Sequence, residues 1–421
     1  MTPGIAIVVI GAGVVGVATA YYLARAGADV IVIDRQSGPA LETSFANGGQ
    51  ISANHAAPWA APKTPWKALR WLGRTDAPLL FHLRWDPQLF AWLARFLANC
   101  TGPAVHRNIE RALALALYSR RQLVLLRAET GIHYDELNRG ILHIFRSPAD
   151  WRDALPQVEL MNRLGCTRRP VDAAGCIAIE PALETVGSDL VGGVFSPDDE
   201  SGDAHAFTRG LAALAAGRGV RFLYGTRVHA ITGSGDRVTA VETDAGRITG
   251  DAYVLAAGSY SPLLLAPLGL RLPIYPAKGY SVTVPVGIGT GAPTVALIDD
   301  EFKMVYSRLG DRLRIAGTAE FTGYDTAINE ARARFLLDKA MGLFPGCGDA
   351  TRAEFWAGLR PATPDGVPLI GPTRLPNLFL NTGHGALGWT MACGSGRVVA
   401  DLVQGRRPEI PTDGLTLARF G

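Results

Sequence analysis

Residues 5–34 read IAIVVIGAGVVGVATAYYLARAGADVIVID. The β-branched apolar run Ile5 to Ile10 predicts a buried strand. GAGVVG, with Gly11, Gly13 and Gly16, predicts a tight turn, the Ala-rich segment to about Ala26 a helix, and the second apolar run ending at Asp34 another strand. In such a unit the first glycine lets the chain turn and the second lets backbone amides approach a pyrophosphate. The third lets the helix pack on the strand, and the helix amino end places partial positive charge on the anion. Asp34 follows Gly11 by about 20 residues, where a carboxylate accepts hydrogen bonds from ribose hydroxyls. Flanking strands, helix and acid all occur in the required order, which identifies a dinucleotide site.

The chain has 421 residues, more than one hydrophobic core usually serves, so two domains are expected. Hydrophobic residues make up 48% and charged residues 19%, as in an ordered globular protein, and the net charge of +3 is too small for a nucleic-acid footprint. The five cysteines are odd in number, widely spaced and without a CxxC pair. That indicates neither a disulfide framework nor a zinc site, and fits a reducing compartment. Residues 1–24 carry no charged side chain, yet the glycine fingerprint, the short length and the missing basic flank point to a buried strand and helix rather than a signal or membrane segment.

Pro39 to Trp59 lacks an apolar period and is dense in Gly, Asn, Ser and Pro, so a long ordered loop is expected at the carboxyl end of the second strand. Its Ser44, Asn47, Gly48, Gly49 and Gln50 suit the wrapping of a polar cofactor. Residues 59–99 hold Trp59, Trp66, Trp71, Trp85 and Trp92 with Lys63, Lys67, Arg70, Arg74 and Arg84 between them. Two readings stay open: a basic amphipathic segment lying in a membrane interface, or a pair of short helices covering an active site with their tryptophans buried.

Helical spacing is expected over Asn108 to about Glu129 and Pro148 to Leu164, with a strand at Gly140 to Arg146. The acidic run Asp198, Asp199, Glu200 and Asp203 lacks calcium-loop spacing and is expected to cap the helix that follows. Strands are expected at Val220–Ile231, Val238–Thr243 and Arg247–Ala257, an antiparallel block from Pro273 to Ala319, and a helix over Asn329–Phe344. At the far end, a strand at Leu378–Asn381 enters the glycine-rich NTGHGALG and a helix beginning near Gly388. A second such turn suits a cofactor larger than a nicotinamide dinucleotide, with a ring system whose electron-rich carbonyl faces a helix amino end.

At these residues the chain closely resembles the D-amino acid dehydrogenase family, bacterial enzymes of the larger D-amino acid oxidase-like superfamily. The resembling segments span nearly the whole sequence and include LETSFANGGQIS, VLAAGSYS, YPAKGYSVTVP, WAGLRPATPDGVPLIG and LNTGHGALGWTMACGSG. The resemblance implies an α/β chain, α+β overall. A Rossmann-like FAD-binding domain would be built from residues 1–60, 185–265 and 350–421, and a largely antiparallel substrate domain from 61–184 and 266–349.

The same resemblance implies non-covalent FAD, with Gly11, Ala12, Gly13, Val15, Gly16, Asp34 and Arg35 around the ADP half. Ser44, Asn47, Gly48, Gly49 and Gln50 would lie near the flavin, Val228 near the adenine, Ala257 and Gly258 against the cofactor, and Gly385, Leu387, Gly388 and Thr390 at its pyrimidine edge. Arg360 of GLRP would bind the substrate carboxylate, and chemistry agrees, since an amino acid needs one fixed cation and arginine offers a bidentate fork. Gln50, His55, Tyr280 and His384 would fall in or near the same pocket, with His384 and Tyr280 equally readable as core residues. The implied reaction is oxidative deamination of a D-amino acid such as D-alanine to a 2-oxo acid and ammonia, by hydride transfer from Cα to flavin N5. Relatives acting on glycine, sarcosine or proline-type amines are the alternative. Electrons would pass to a quinone at the inner face of the cytoplasmic membrane. No metal and no nucleic acid is expected.

Overall fold

The strand Ala6–Ile10 is central because Ile7 to Ile10 are buried on both faces, as parallel sheets require. In the computed structural model, which describes residues 5–71, 77–82, 85–287 and 291–421, it pairs in parallel with Asp29–Ile33 on one side and Ala252–Leu255 on the other. The complete six-stranded sheet runs Leu369–Pro372, Leu378–Thr382, Ala252–Leu255, Ala6–Ile10, Asp29–Ile33 and Arg221–Leu223. Both glycine turns therefore leave the same end of one sheet, although they stand at opposite ends of the sequence. The helices that follow them, Val14–Arg25 and Gly388–Val403, pack together through small residues: a Cβ on Gly396 would lie 2.9 Å from Ala18 C.

The second sheet has nine strands, in the order Glu354–Ala362, Tyr275–Pro285, Arg312–Phe321, Met304–Leu309, Ala296–Asp299, Ile141–Phe145, Gly192–Ser196 and Arg169–Asp172, with Leu79–Phe81 added in parallel to Arg312–Phe321. One face buries Tyr280, Val282, Leu297 and Ile315 beneath the helix Glu330–Leu343. The other faces the long loop after the second strand: Ser307 Oγ donates to the Gly48 carbonyl at 2.7 Å and Arg314 Nη1 to the Asn47 carbonyl at 3.0 Å.

Several expectations shift. Glu354–Ala362 and Gly192–Ser196 belong to the nine-stranded sheet, although they fall inside segments expected in the cofactor domain; local pattern marks a strand but not its partner. The run 220–231 divides at Gly225, φ +64°, into Arg221–Leu223 and Val228–Ser234, and the run 247–257 divides likewise into Gly246–Ile248 and Ala252–Leu255. The long helix begins at Gly102 rather than near Asn108, because a proline in the first turn costs no hydrogen bond. Of the acidic run only Asp203 caps the helix Ala204–Ala216. Asp199 instead accepts from Ser52 Oγ and Asn54 Nδ2, and Glu200 pairs with Arg127 at 2.8 Å. The stretch 59–99 forms the helices Thr64–Trp71 and Pro87–Ala98, but Trp66 and Trp85 are 71% and 85% exposed and only Trp92 of the described tryptophan side chains there is buried. The side chain of Trp71, and Arg74 and Arg84, lie outside the described residues. All five cysteines are free.

Candidate active site

The first turn is built by glycine where nothing else fits. Gly11 has φ +110°, and a Cβ there would lie 2.6 Å from the Ala256 carbonyl oxygen. A Cβ on Gly16 would lie 1.9 Å from the Gly11 carbonyl oxygen, so the helix contacts the turn backbone directly. At Gly13 the nearest atom to a Cβ is Ser44 Oγ at 3.5 Å; the space beside it is the cavity itself. Ser44 Oγ also accepts from the Val14 amide at 3.1 Å. Asp34 braces the turn: its Oδ2 accepts from the Ala12 amide at 2.6 Å and its Oδ1 from Gln36 N at 2.8 Å. Burial raises its pKa while those amides oppose the rise, and each oxygen keeps a lone pair for a further donor.

From this turn a cavity of about 390 Å³ runs between the two glycine turns. Of the residues singled out in the sequence, its wall includes Gly11, Gly13, Val15, Asp34, Arg35, Ser44, Asn47, Val228, Ala257, Gly258, His384, Gly385 and Gly388. Ala12 and Gly16 stand behind the wall as backbone of the turn. Thr226, Arg227, Tyr260 and Asn381 also line it and were not singled out. Thr226 and Arg227 sit in a turn without any local signal, whereas Tyr260 lies within the quoted VLAAGSYS and stacks beneath Arg35 at 4.0 Å. Asn381 gives its Nδ2 to Thr19 Oγ1 at 2.9 Å and leaves a buried Oδ1 without a partner among the described residues.

Gly48, Gly49, Gln50, Leu387 and Thr390 lie between the sheets or behind the second turn rather than on that wall. A Cβ on Gly48 would meet Val305 Cγ2 at 2.8 Å, and Gly49 has φ +78°. Gln50 Nε2 donates to the Leu297 carbonyl at 2.9 Å, and Thr390 Oγ1 accepts from Ser52 N at 3.1 Å. Leu387 packs against the core around the first helix.

His384 is 4% exposed, burial lowers its pKa to about 3, and its Nε2 has no partner among the described residues. It is neutral at physiological pH. Arg360 projects from the face of the nine-stranded sheet that carries Ser307 and Arg314, since its pairing with Ala277 places it in phase with Gly279 and Thr283. It lies beside the cavity, whose wall takes the next residue, Pro361.

Tyr280 and His55 are not brought to this cavity. Strand alternation turns Tyr280 to the opposite face from Gly279, where its ring joins the apolar core and its hydroxyl donates to Glu320 Oε2, a carboxylate that also meets Lys278 and His82. His55 sits in a short 3₁₀ turn with its ring 5.2 Å from that of His143, and burial together with the nearby Arg168 holds its pKa well below the usual value.

A family whose description is FAD dependent oxidoreductase matches residues 6–402. The chain belongs to the FAD dependent oxidoreductase family. Within it, the chain is 61% identical to the D-amino acid dehydrogenase of Paramagnetospirillum magneticum over 98% of each sequence. It is 53% identical to that of Rhizorhabdus wittichii over 98% of this chain and all of the relative. The fold is shared with an L-proline dehydrogenase from P. horikoshii (TM-score 0.78, 20% identity, 100% and 98% coverage) and with a glycine oxidase from Geobacillus kaustophilus (0.76, 23%, 99% of both).

This FAD dependent oxidoreductase has the residues its cofactor needs. The glycine cradle at 11 and 13, the bare space at Gly13, the half-buried Asp34 and the orphan polar atoms of Asn381 and His384 offer a long polar ligand amides, a carboxylate and unused hydrogen-bonding groups. The helix Gly388–Val403 begins without a side-chain cap, leaving its first amides for that ligand.

Proposed function

We propose that this protein oxidatively deaminates D-amino acids of the alanine type, with the six-stranded sheet as its FAD half and the nine-stranded sheet as its substrate half. Arg360 carries the reading. Its guanidinium is largely desolvated, with burial pulling its pKa down to about 10, and it pairs with no carboxylate among the described residues. A partly desolvated cation without a counter-ion is costly, and an incoming carboxylate offsets that cost. The D configuration is supported by the name of relatives at 53–61% identity.

FAD, when bound, supplies the two-electron acceptor. The amino acid loses two electrons and two protons to give an imino acid, which water converts to the 2-oxo acid and ammonia. The chain contributes placement: Arg360 holds the carboxylate, and the buried, neutral His384 offers a hydrogen bond without adding charge. No nucleophilic Ser, Cys or His is required.

Anaerobic addition of D-alanine to the yellow protein is expected to bleach its visible flavin absorbance, whereas glycine, sarcosine, D-proline and L-alanine at equal concentration leave most of it. Bleaching by sarcosine or glycine but not by D-alanine overturns the substrate assignment. Reoxidation is expected to be faster with a soluble quinone than with dissolved oxygen, as an enzyme serving a respiratory acceptor requires.

We also propose that residues 59–99 rest on the cytoplasmic face of the membrane that holds such a quinone. No helix among the described residues is long and apolar enough to span a bilayer. Instead Trp66, Leu69, Trp85, Phe90 and Leu97 stand exposed on two short helices and the segment joining them, the composition of an interfacial contact. The enzyme is expected to sediment with anionic phospholipid vesicles and the Trp66→Ser/Trp85→Ser variant to remain in the supernatant; equal sedimentation of both removes the assignment.

A further inference from the structure

The strand pairing around Arg360 is irregular at one point. Tyr280 pairs with Gly317 and Lys278 with Glu320, so Thr318 and Ala319 together oppose the single residue Gly279, a β-bulge. Thr318 adopts φ +56°, a conformation that β-branched residues rarely take. Its Oγ1 is buried with no hydrogen-bond partner among the described residues, so the hydroxyl does not hold the bulge. The carbonyl has a partner: it accepts from Arg360 Nη1 at 2.8 Å. From the other side the bulge is stapled by the added strand Leu79–Phe81, with the Ala319 amide donating to the Pro78 carbonyl at 2.7 Å.

Gly279 is matched to the same side chain. A Cβ there would lie 2.2 Å from Arg360 Cζ and 2.3 Å from both Nη atoms, so the guanidinium lies flat on the glycine backbone. One edge of the group is committed to Thr318. The Nε–Nη2 edge makes no hydrogen bond among the described residues and is the edge left for a bidentate carboxylate.

We propose that Gly279 and the bulge at Thr318 are the positioning elements of Arg360, a seat that fixes the guanidinium plane and presents its Nε–Nη2 edge to the substrate carboxylate. This rests on the assignment of Arg360 to that carboxylate. The strain stored at Thr318 serves to aim a carbonyl, which is why the position carries a left-handed residue without using its side chain.

The test compares kcat/KM for D-alanine with that for D-alaninamide, which lacks the carboxylate, in the FAD-loaded enzyme. Gly279→Ala is expected to lower the D-alanine to D-alaninamide ratio by about tenfold or more with flavin content unchanged. In an Arg360→Ala background the same substitution is expected to change the ratio by less than about twofold, because the seat acts only through the arginine. Thr318→Gly, which keeps the carbonyl but frees the backbone, provides a variant without added bulk and is expected to lower the ratio by about threefold or more. Propionate binding, followed through the flavin spectrum without turnover, is expected to weaken in parallel. Equal losses on both substrates, or effects of Gly279→Ala and Arg360→Ala that multiply, overturn the seat. An Arg360→Ala enzyme that keeps the wild-type ratio instead overturns the carboxylate assignment beneath it, so the two failures are told apart.

Discussion

Arg360→Ala is expected to cut kcat/KM for D-alanine roughly 30- to 5,000-fold, the equivalent of the about 2–5 kcal/mol lost when one partner of a desolvated charge pair is truncated. Steady-state kinetics check it, with flavin content as the control. The effect is large because the guanidinium is already partly desolvated and already oriented, lying on Gly279 with Nη1 on the Thr318 carbonyl. Substrate binding then costs little ordering, and losing the group loses both charge and placement. Arg360→Lys keeps the charge but not the fork and is expected to recover only part of the loss. Wild-type efficiency in Arg360→Ala would remove the carboxylate assignment.

Gly16→Ala is expected to yield protein that binds little or no FAD and is destabilised by about 3 kcal/mol, the upper end of what an added methyl costs in a packed interior. The new Cβ would fall 1.9 Å from the Gly11 carbonyl oxygen, and neither partner can retreat: Gly11 N is tied to the Ile33 carbonyl at 2.8 Å, and the helix is backed by Gly388–Val403. Gly13→Ala makes the instructive contrast. Its Cβ would meet only Ser44 Oγ, at 3.5 Å, so the apoprotein should keep its denaturation midpoint while FAD affinity falls. Urea denaturation of both apoproteins and FAD titration separate the cases; equal stability of Gly16→Ala and wild type would refute the packing argument.

Gly11, Gly13, Gly16 and Asp34 were legible in the sequence because their roles are local: a turn, a close approach and a carboxylate, all within one strand–helix–strand unit. Arg360 and His384 were legible chiefly through resemblance: the chemistry of a carboxylate asks for an arginine, but nothing near either residue in sequence says where its side chain points. The strand holding Tyr280 was visible, but not which of its faces looks at the cofactor. Alternation makes Gly279 and Tyr280 strict alternatives, and the tyrosine, the more chemical residue, was the wrong one of the pair for the cavity. The bulge at Thr318 leaves no trace in composition, because a threonine in a strand is ordinary until its φ is known. Of the two readings open for residues 59–99, the exposure of Trp66 and Trp85 goes against the one that buries its tryptophans, and which side chains a fold leaves exposed is a tertiary fact.

The six-stranded sheet places residues 6–10 and 378–382 on either side of residues 252–255. No fragment that ends before residue 378 possesses both walls of the FAD cleft, however well its first βαβ unit is made. Contacts of such sequence separation form late. On the ribosome the glycine fingerprint emerges first and waits for nearly the entire remaining chain, so cofactor capture in this enzyme is an event of the finished polypeptide.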